Sequence, residues 1–126
     1  MVLLLLHIQI RRKEFKVKTL KIMLDYIWGP IWKDCYDPET DKVVTGIDIV
    51  DNDEEVWKIN GQICDLYSSY YETDENGIPR KFDFESEKRD KGRMLELLAK
   101  LNARLSEIND GSFEIEDCET PRVKAL

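Results

Sequence analysis

The chain has 126 residues, of which 42% are hydrophobic, and its 26 acidic and 19 basic side chains leave a formal net charge of −7. This length and apolar content are typical of one globular domain with a single core, and they disfavour a multidomain enzyme or a disordered chain. A general nucleic-acid binder is disfavoured as well, because such proteins need a basic face to neutralise phosphates.

The chain begins with an apolar run, MVLLLLHIQI. A membrane-spanning helix needs about 20 apolar residues, and a secretory signal carries its positive charges before the run. Here the basic residues follow it, from Arg11 to Lys21. We therefore expect no export signal and no membrane anchor. Residues 1–19 are predicted to be an N-terminal extension, an extra strand or a stretch upstream of the true start, and residues 20–126 a single domain.

The sequence contains few residues of the kinds that catalyse reactions or bind metals. Cys35, Cys64 and Cys118 form neither a CxxC pair nor a Cys/His cluster, which predicts reduced thiols in a cytoplasmic protein without zinc. His7 is the sole histidine and lies in the apolar run, and no glycine-rich phosphate loop is present. The sequence thus predicts a protein that is not an enzyme and that binds no cofactor or metal.

Two strands are predicted in the first half of the chain. Apolar residues recur with a period of two over residues 16–28, and Gly29-Pro30 interrupts the pattern. A second strand is predicted over residues 43–50 because this stretch is rich in β-branched side chains, with Gly46 as a bulge or a close backbone approach.

An amphipathic helix is predicted from about Asn52 to Tyr71. Asp51 is expected to cap its free amides, with Glu54 completing a capping box. Apolar residues at helical spacing predict one face against a core. Gly61 in its middle predicts a close contact with a neighbouring element, since glycine is unfavourable there.

Residues 72–81 are predicted to form a loop, because they contain Asn-Gly and Pro. A continuous apolar stripe from Met94 to Ile108 predicts a second helix, and Gly111 just beyond it suits a left-handed position. A short strand is predicted at Phe113 to Ile115, followed by a loose tail from Thr120. The order of these elements predicts a small α+β sandwich, with an antiparallel or mixed sheet packed against two helices.

Charge is segregated along the chain. Between Asp34 and Glu87 there are sixteen acidic and four basic residues. Large aromatic residues lie among these acids, and we expect Tyr71, with Trp57 or Tyr70, to reach solvent. Two interpretations are open: a solvated acidic face with half-buried aromatics, or an interface for a basic partner, in which the rings supply contact area and the charges steer association.

Six segments form a pattern along the chain: Leu24-Asp25-Tyr26, Gly29-Pro30-Ile31-Trp32, Thr45-Gly46-Ile47, Asp51-Asn52-Asp53-Glu54, Leu66-Tyr67-Ser68-Ser69-Tyr70-Tyr71 and Ile108-Asn109-Asp110-Gly111-Ser112-Phe113. Over roughly Leu20 to Val123, this pattern resembles that of the small bacterial immunity proteins of contact-dependent growth inhibition and related polymorphic-toxin systems. The resemblance implies a cytoplasmic, non-enzymatic inhibitor that binds a cognate toxin domain, often a basic nuclease, without itself contacting nucleic acid or membrane.

The resemblance and the charge pattern together predict the partner-binding residues. They form a helix-start group of Asp51, Asp53, Glu54 and Glu55, and a post-helix group of Tyr70, Tyr71, Glu72, Asp74 and Glu75, with Trp32 as a neighbour. The two groups are about 20 residues apart, near 30 Å along a straight helix, so one toxin need not touch both. The alternatives are an acidic protein-binding or regulatory module unrelated to toxins and, with less support, a small metal-binding protein or enzyme.

Overall fold

The computed structural model describes residues 17–26, 29–31, 35–37 and 42–126. Six strands and five helices lie in these ranges. The strands are β1 Lys18–Ile22, β2 Cys35–Asp37, β3 Lys42–Val44, β4 Tyr71–Thr73, β5 Pro79–Phe82 and β6 Phe113–Asp117. The helices are α1 Asp48–Asp51, α2 Glu54–Ser68, α3 Phe84–Arg89, α4 Lys91–Ile108 and α5 Glu119–Lys124.

The strands form three two-stranded sheets. β1 pairs in parallel with β6, in a register that runs from Lys18 opposite Phe113 to Ile22 opposite Asp117. β2 pairs antiparallel with β3, and β4 pairs antiparallel with β5. The first and last described strands therefore lie side by side, and the predicted boundary between residues 19 and 20 falls inside β1. Residues 1–16 lie outside the described residues.

The predicted strand over residues 43–50 is wrong in its second half, which forms α1. The carboxylate of Asp51 explains the change of direction. It accepts hydrogen bonds from the amide and hydroxyl of Thr45, at 2.9 and 2.8 Å, and from the amide of Gly46, at 3.1 Å. Gly46 has a φ of 81°, which glycine adopts without a steric penalty. The turn that these bonds close ends β3 and begins α1.

The helix cap lies two residues later than predicted. Asp53, and not Asp51, is the N-cap of α2, since its carboxylate accepts a 2.9 Å hydrogen bond from the amide of Val56. Asp51 is engaged by Thr45 and Gly46 and ends α1 instead.

A single hydrophobic core joins the two long helices to the β1–β6 strand pair. α2 and α4 pack against each other, α2 through Val56, Ile59 and Ile63 and α4 through its stripe from Met94 to Leu105. Leu20, Ile22 and Phe113 bring the β1–β6 pair into the same core. Among the described residues, apart from its chain neighbours and the backbone of its own helix, no heavy atom lies within 4 Å of a side-chain carbon placed on Gly61, so the close contact predicted there is not found within this part of the chain.

The α+β class is confirmed, whereas the sandwich arrangement stays a prediction. α4 ends at Ile108 as its stripe indicates, and Gly111 takes a φ of 92°. The loose tail predicted from Thr120 is wrong, because α5 forms there and buries Glu119 and Val123. The predicted loop over residues 72–81 is a β-hairpin, whose turn contains Gly77 at a φ of 75°.

Candidate functional site

The helix-start group divides into anchored and free carboxylates. Both carboxylate oxygens of Asp51 accept hydrogen bonds from the β3–α1 turn, and its carbonyl accepts a 3.0 Å bond from the indole N–H of Trp57. These bonds hold the turn between β3 and α2 in place. Asp51 is therefore a structural residue of this turn.

Asp53 is anchored by an arginine of α4. The guanidinium of Arg104 donates to both carboxylate oxygens, at 2.7 and 3.0 Å, and the Asp53 side chain is only 13% exposed. This pairing lowers the pKa of Asp53 below its ordinary value of 3.8. Arg104 also forms an ion pair with Glu107 at 3.2 Å. The charge of Asp53 is thus compensated within the fold, and Asp53 ties the start of α2 to α4.

Glu54 and Glu55 remain as the free members of the helix-start group. Both are exposed in the first turn of α2, and neither forms an ion pair with any residue that the structure describes. Lys58, Gln62 and Asp65 continue the exposed side of the helix. This side of α2 is therefore open to a partner along its length.

The post-helix group also contains both residues that make contacts within the domain and residues that are exposed. Tyr70 is fully buried, and its hydroxyl donates a 3.2 Å hydrogen bond to Asp90, so the expectation that it reaches solvent is wrong. Burial raises the pKa of Tyr70, so its hydroxyl stays protonated and can donate this bond. Tyr70 is a core residue.

Replacing Tyr70 tests this assignment. Tyr70→Phe keeps the ring and removes one hydrogen bond, and we expect it to lower the free energy of unfolding by about 1 kcal/mol. Tyr70→Ala removes the ring and should cost about 3 to 5 kcal/mol. Urea denaturation measures both values. If Tyr70→Phe abolished partner binding without changing stability, Tyr70 would belong to an interface.

Asp74 organises the hairpin turn. Its carboxylate accepts from the amides of Asn76 and Ile78 at 2.9 and 3.0 Å and from the Nε of Arg80 at 2.9 Å. These bonds lower the pKa of Asp74. Asp74 is therefore engaged within the β4–β5 turn. Glu72 and Glu75 are exposed and form no ion pair within the described ranges.

Tyr71 belongs to an aromatic cluster at this end of α2. The cluster consists of Tyr26, Tyr67, Tyr70, Tyr71, Phe82 and Phe84. The Tyr71 ring centroid lies 5.0 Å from that of Tyr26 and 5.0 Å from that of Phe82, and Tyr71 is half-buried. Such edge and tilted contacts stabilise aromatic clusters beyond their buried area.

Phe84 is the candidate site residue that the sequence analysis missed. It begins α3, its ring lies 4.8 Å from that of Phe82, and it is 72% exposed. The signal in the sequence is the Phe82-Asp83-Phe84 triplet, but spacing alone does not say which ring faces the core. Asp83 caps α3 by accepting from the amide and hydroxyl of Ser86, which sets the direction of the helix and leaves Phe84 outside.

The structure thus brings Tyr71, Glu72 and Glu75 together on one hairpin and places Glu54 and Glu55 at the opposite end of α2. The helix has 15 residues, which corresponds to about 22 Å. Trp32 lies outside the described residues.

A separate surface cleft of about 380 Å³ lies between the start of β1 and the β3–α1 turn. The Lys18 ammonium donates to the Gly46 carbonyl there, and Asp48, Asp110 and Ser112 line the remaining wall. Within the described ranges, no group of three or more histidine, cysteine, aspartate or glutamate side chains is placed to hold a metal ion.

No helix among the described residues is long and apolar enough to cross a membrane. Comparison of the chain with protein-family models, curated proteins and solved structures found no significant match.

Proposed function

We propose that this chain is a cytoplasmic immunity protein of the contact-dependent growth inhibition or polymorphic-toxin kind. It binds a cognate, basic, nuclease-type toxin domain and neutralises it by forming a stoichiometric complex, without enzymatic turnover. The proposal rests on the resemblance given above and on the charges of the described residues.

One observation carries the proposal. From Glu54 to Glu75 the chain has six acidic residues and a single basic one, Lys58. Asp74 is paired with Arg80, but the other five acids are exposed and form no ion pair with a described residue. We call these five the acidic ridge: Glu54, Glu55, Asp65, Glu72 and Glu75.

The carboxylates of the acidic ridge attract a positively charged partner from both ends of α2. Glu54 and Glu55 at its start, and Glu72 and Glu75 beyond its end, each raise the local negative potential, which increases the rate at which a basic protein arrives. A nuclease presents such a basic surface, because its cleft must attract phosphates. Carboxylates of the ridge would take the place of those phosphates.

The test is co-expression of this chain with the toxin domain encoded immediately upstream of its gene. We expect the cells to survive and the two proteins to copurify in a one-to-one complex. The association rate constant should fall by about tenfold or more between 50 mM and 500 mM salt, because charge steering is screened.

Two variants with the same change in charge test whether the acidic ridge is the part of the surface that steers association. Glu54→Gln/Glu55→Gln removes two charges from the acidic ridge, and Glu114→Gln/Glu116→Gln removes two exposed charges from β6. We expect the first variant to slow association by several-fold more than the second. Death of the co-expressing cells would overturn the proposal, and a complex with an upstream-encoded protein that is not toxic would favour the alternative of a regulatory module.

A further inference from the structure

We infer that the β4–β5 hairpin and the start of α3 form the docking surface for the toxin domain, with Phe84 as the anchor that enters an apolar pocket bordered by basic groups. This inference rests on the proposed function and adds to it the surface, the anchoring residue and the chemistry of the partner's pocket.

Most of the large apolar side chains that are exposed among the described residues lie on the β4–β5 hairpin and at the start of α3. The described residues contain three exposed large hydrophobic side chains: Phe84 at 72%, Val17 at 54% and Ile78 at 47%. Two of the three, Phe84 and Ile78, lie within seven positions of each other on the hairpin and the helix that follows it. Ile78 lies at the hairpin turn and Phe84 lies beyond the other end of β5, so Phe84 is the larger and more exposed of two separate apolar contacts on this segment. Exposed apolar side chains grouped on one hairpin and the helix that follows it mark a candidate interaction site on a soluble domain.

The fold holds Phe84 in place before any partner arrives. Its ring contacts Phe82, which in turn contacts Tyr67, Tyr70 and Tyr71 at centroid distances of 5.5, 5.9 and 5.0 Å. The amide of Asp83 donates a 2.7 Å hydrogen bond to the Tyr70 carbonyl, and this fixes the backbone just before Phe84. A ring held in this way loses little conformational entropy on binding, as is typical of the aromatic anchors of interfaces.

The charge balance of the hairpin and α3 favours a basic partner, because residues 71–90 contain seven acidic and four basic residues. Glu85 is exposed beside it, and Glu72 and Glu75 of the acidic ridge lie on the same hairpin. Lys81 and Lys88 are the exposed basic residues of this segment that form no ion pair with a described residue. Carboxylates at the rim of an apolar contact pair best with basic groups at the rim of the facing pocket.

A second copy of this chain fits the surface less well than a basic protein. Two copies that met through Phe84 would bring two acidic rims together, and each chain carries a net charge of −7. Like charges facing each other across an interface oppose association.

The acidic ridge and the Phe84 anchor should therefore affect different rate constants of toxin binding. Charges at a distance change the association rate, whereas a desolvated anchor changes the dissociation rate. We expect Phe84→Ala to speed dissociation of the purified toxin complex by about 30-fold or more, the effect of losing a hot-spot residue. The association rate constant should change by less than about threefold.

The experiment is stopped-flow or surface-plasmon kinetics with the purified toxin domain. Val17→Ala is the control, because it shortens an exposed apolar side chain outside this surface and should leave both rates unchanged. The Tm of Phe84→Ala should fall by no more than a few degrees, since the ring is mostly exposed and only its contact with Phe82 is lost. Phe84→Leu, which keeps an apolar anchor, should recover part of the lost residence time.

Three results would overturn the inference while leaving the proposed function intact. The first is a wild-type complex whose dissociation rate is unchanged in Phe84→Ala, and the second is an equal effect of Val17→Ala. The third is a wild-type dimer that Phe84→Ala dissociates in the absence of toxin, which would assign the surface to self-association. Failure of the wild type to bind any upstream-encoded toxin would instead overturn the proposed function.

Discussion

Arg122→Met is expected to destabilise the domain by about 3 to 5 kcal/mol, the usual cost of leaving a buried charge without its partner. Arg122 of α5 donates to both oxygens of Glu87 on α3, at 2.8 and 3.2 Å, and to Glu119 at 2.6 Å. The two glutamate side chains are only 4% and 7% exposed. Methionine would leave both carboxylates facing each other without a cation.

Urea or thermal denaturation measures this loss, and a fall in Tm of about 10 °C or more is expected. Lys124→Met is the matched control on the same helix, because the Lys124 side chain is exposed, and it should change stability by less than about 0.5 kcal/mol. Adding Glu87→Gln to Arg122→Met should recover part of the loss. A cost below about 1 kcal/mol for Arg122→Met would contradict the assigned role of this ion-pair network.

Asp53→Lys is expected to weaken the fold, whereas Glu54→Lys leaves it stable. The first change removes the N-cap of α2, which alone is worth about 1 kcal/mol or slightly more, and brings a second cation to Arg104. Glu54 is exposed and makes no ion pair with a described residue, so its reversal should affect association with a basic partner and cost only about 0.3 to 1 kcal/mol of stability through the helix dipole. Denaturation and binding kinetics of the two variants separate these effects.

The pH dependence of stability gives an independent check on Asp53. Because Arg104 lowers its folded pKa below 3.8, the carboxylate contributes stability above about pH 3.8, and this contribution is lost as the pH falls through the folded pKa. The stability difference between wild type and Asp53→Asn should therefore be largest near neutral pH and shrink below pH 3.8. A constant difference over that range would mean that the Asp53–Arg104 pair is not formed in solution.

Elements with strong local signals were predictable. The α4 stripe, Gly111 and the β-strand at Phe113 agree with the structure, because periodicity and turn chemistry are local properties. The strand predicted over residues 16–28 is right only in part, since β1 ends at Ile22 and residues 23–26 form no strand. α1 was not predictable. Ile47, Ile49 and Val50 favour a strand locally, but the hydrogen bonds that Asp51 makes to Thr45 and Gly46 turn the chain.

The candidate site was also predictable only in part. Glu54, Glu55, Glu72 and Glu75 are exposed, as an acidic surface requires, and this follows from carboxylate solvation. Four of the predicted partner-binding residues instead make contacts within the domain: Asp51, Asp53, Asp74 and Tyr70. Phe84, which was not predicted as a binding residue, is exposed.

A small acidic α+β chain with two amphipathic helices, and an excess of carboxylates along the first of them, follows from the order of the residues alone. Which carboxylates have counter-charges depends on the folded structure, because Arg104 reaches Asp53 from 51 positions away and Arg122 reaches Glu87 from 35 positions away. Ion pairs and aromatic contacts depend on distances in space, which residue spacing along the chain does not fix. The acidic ridge and Phe84 are what remains available to a partner after those contacts have formed.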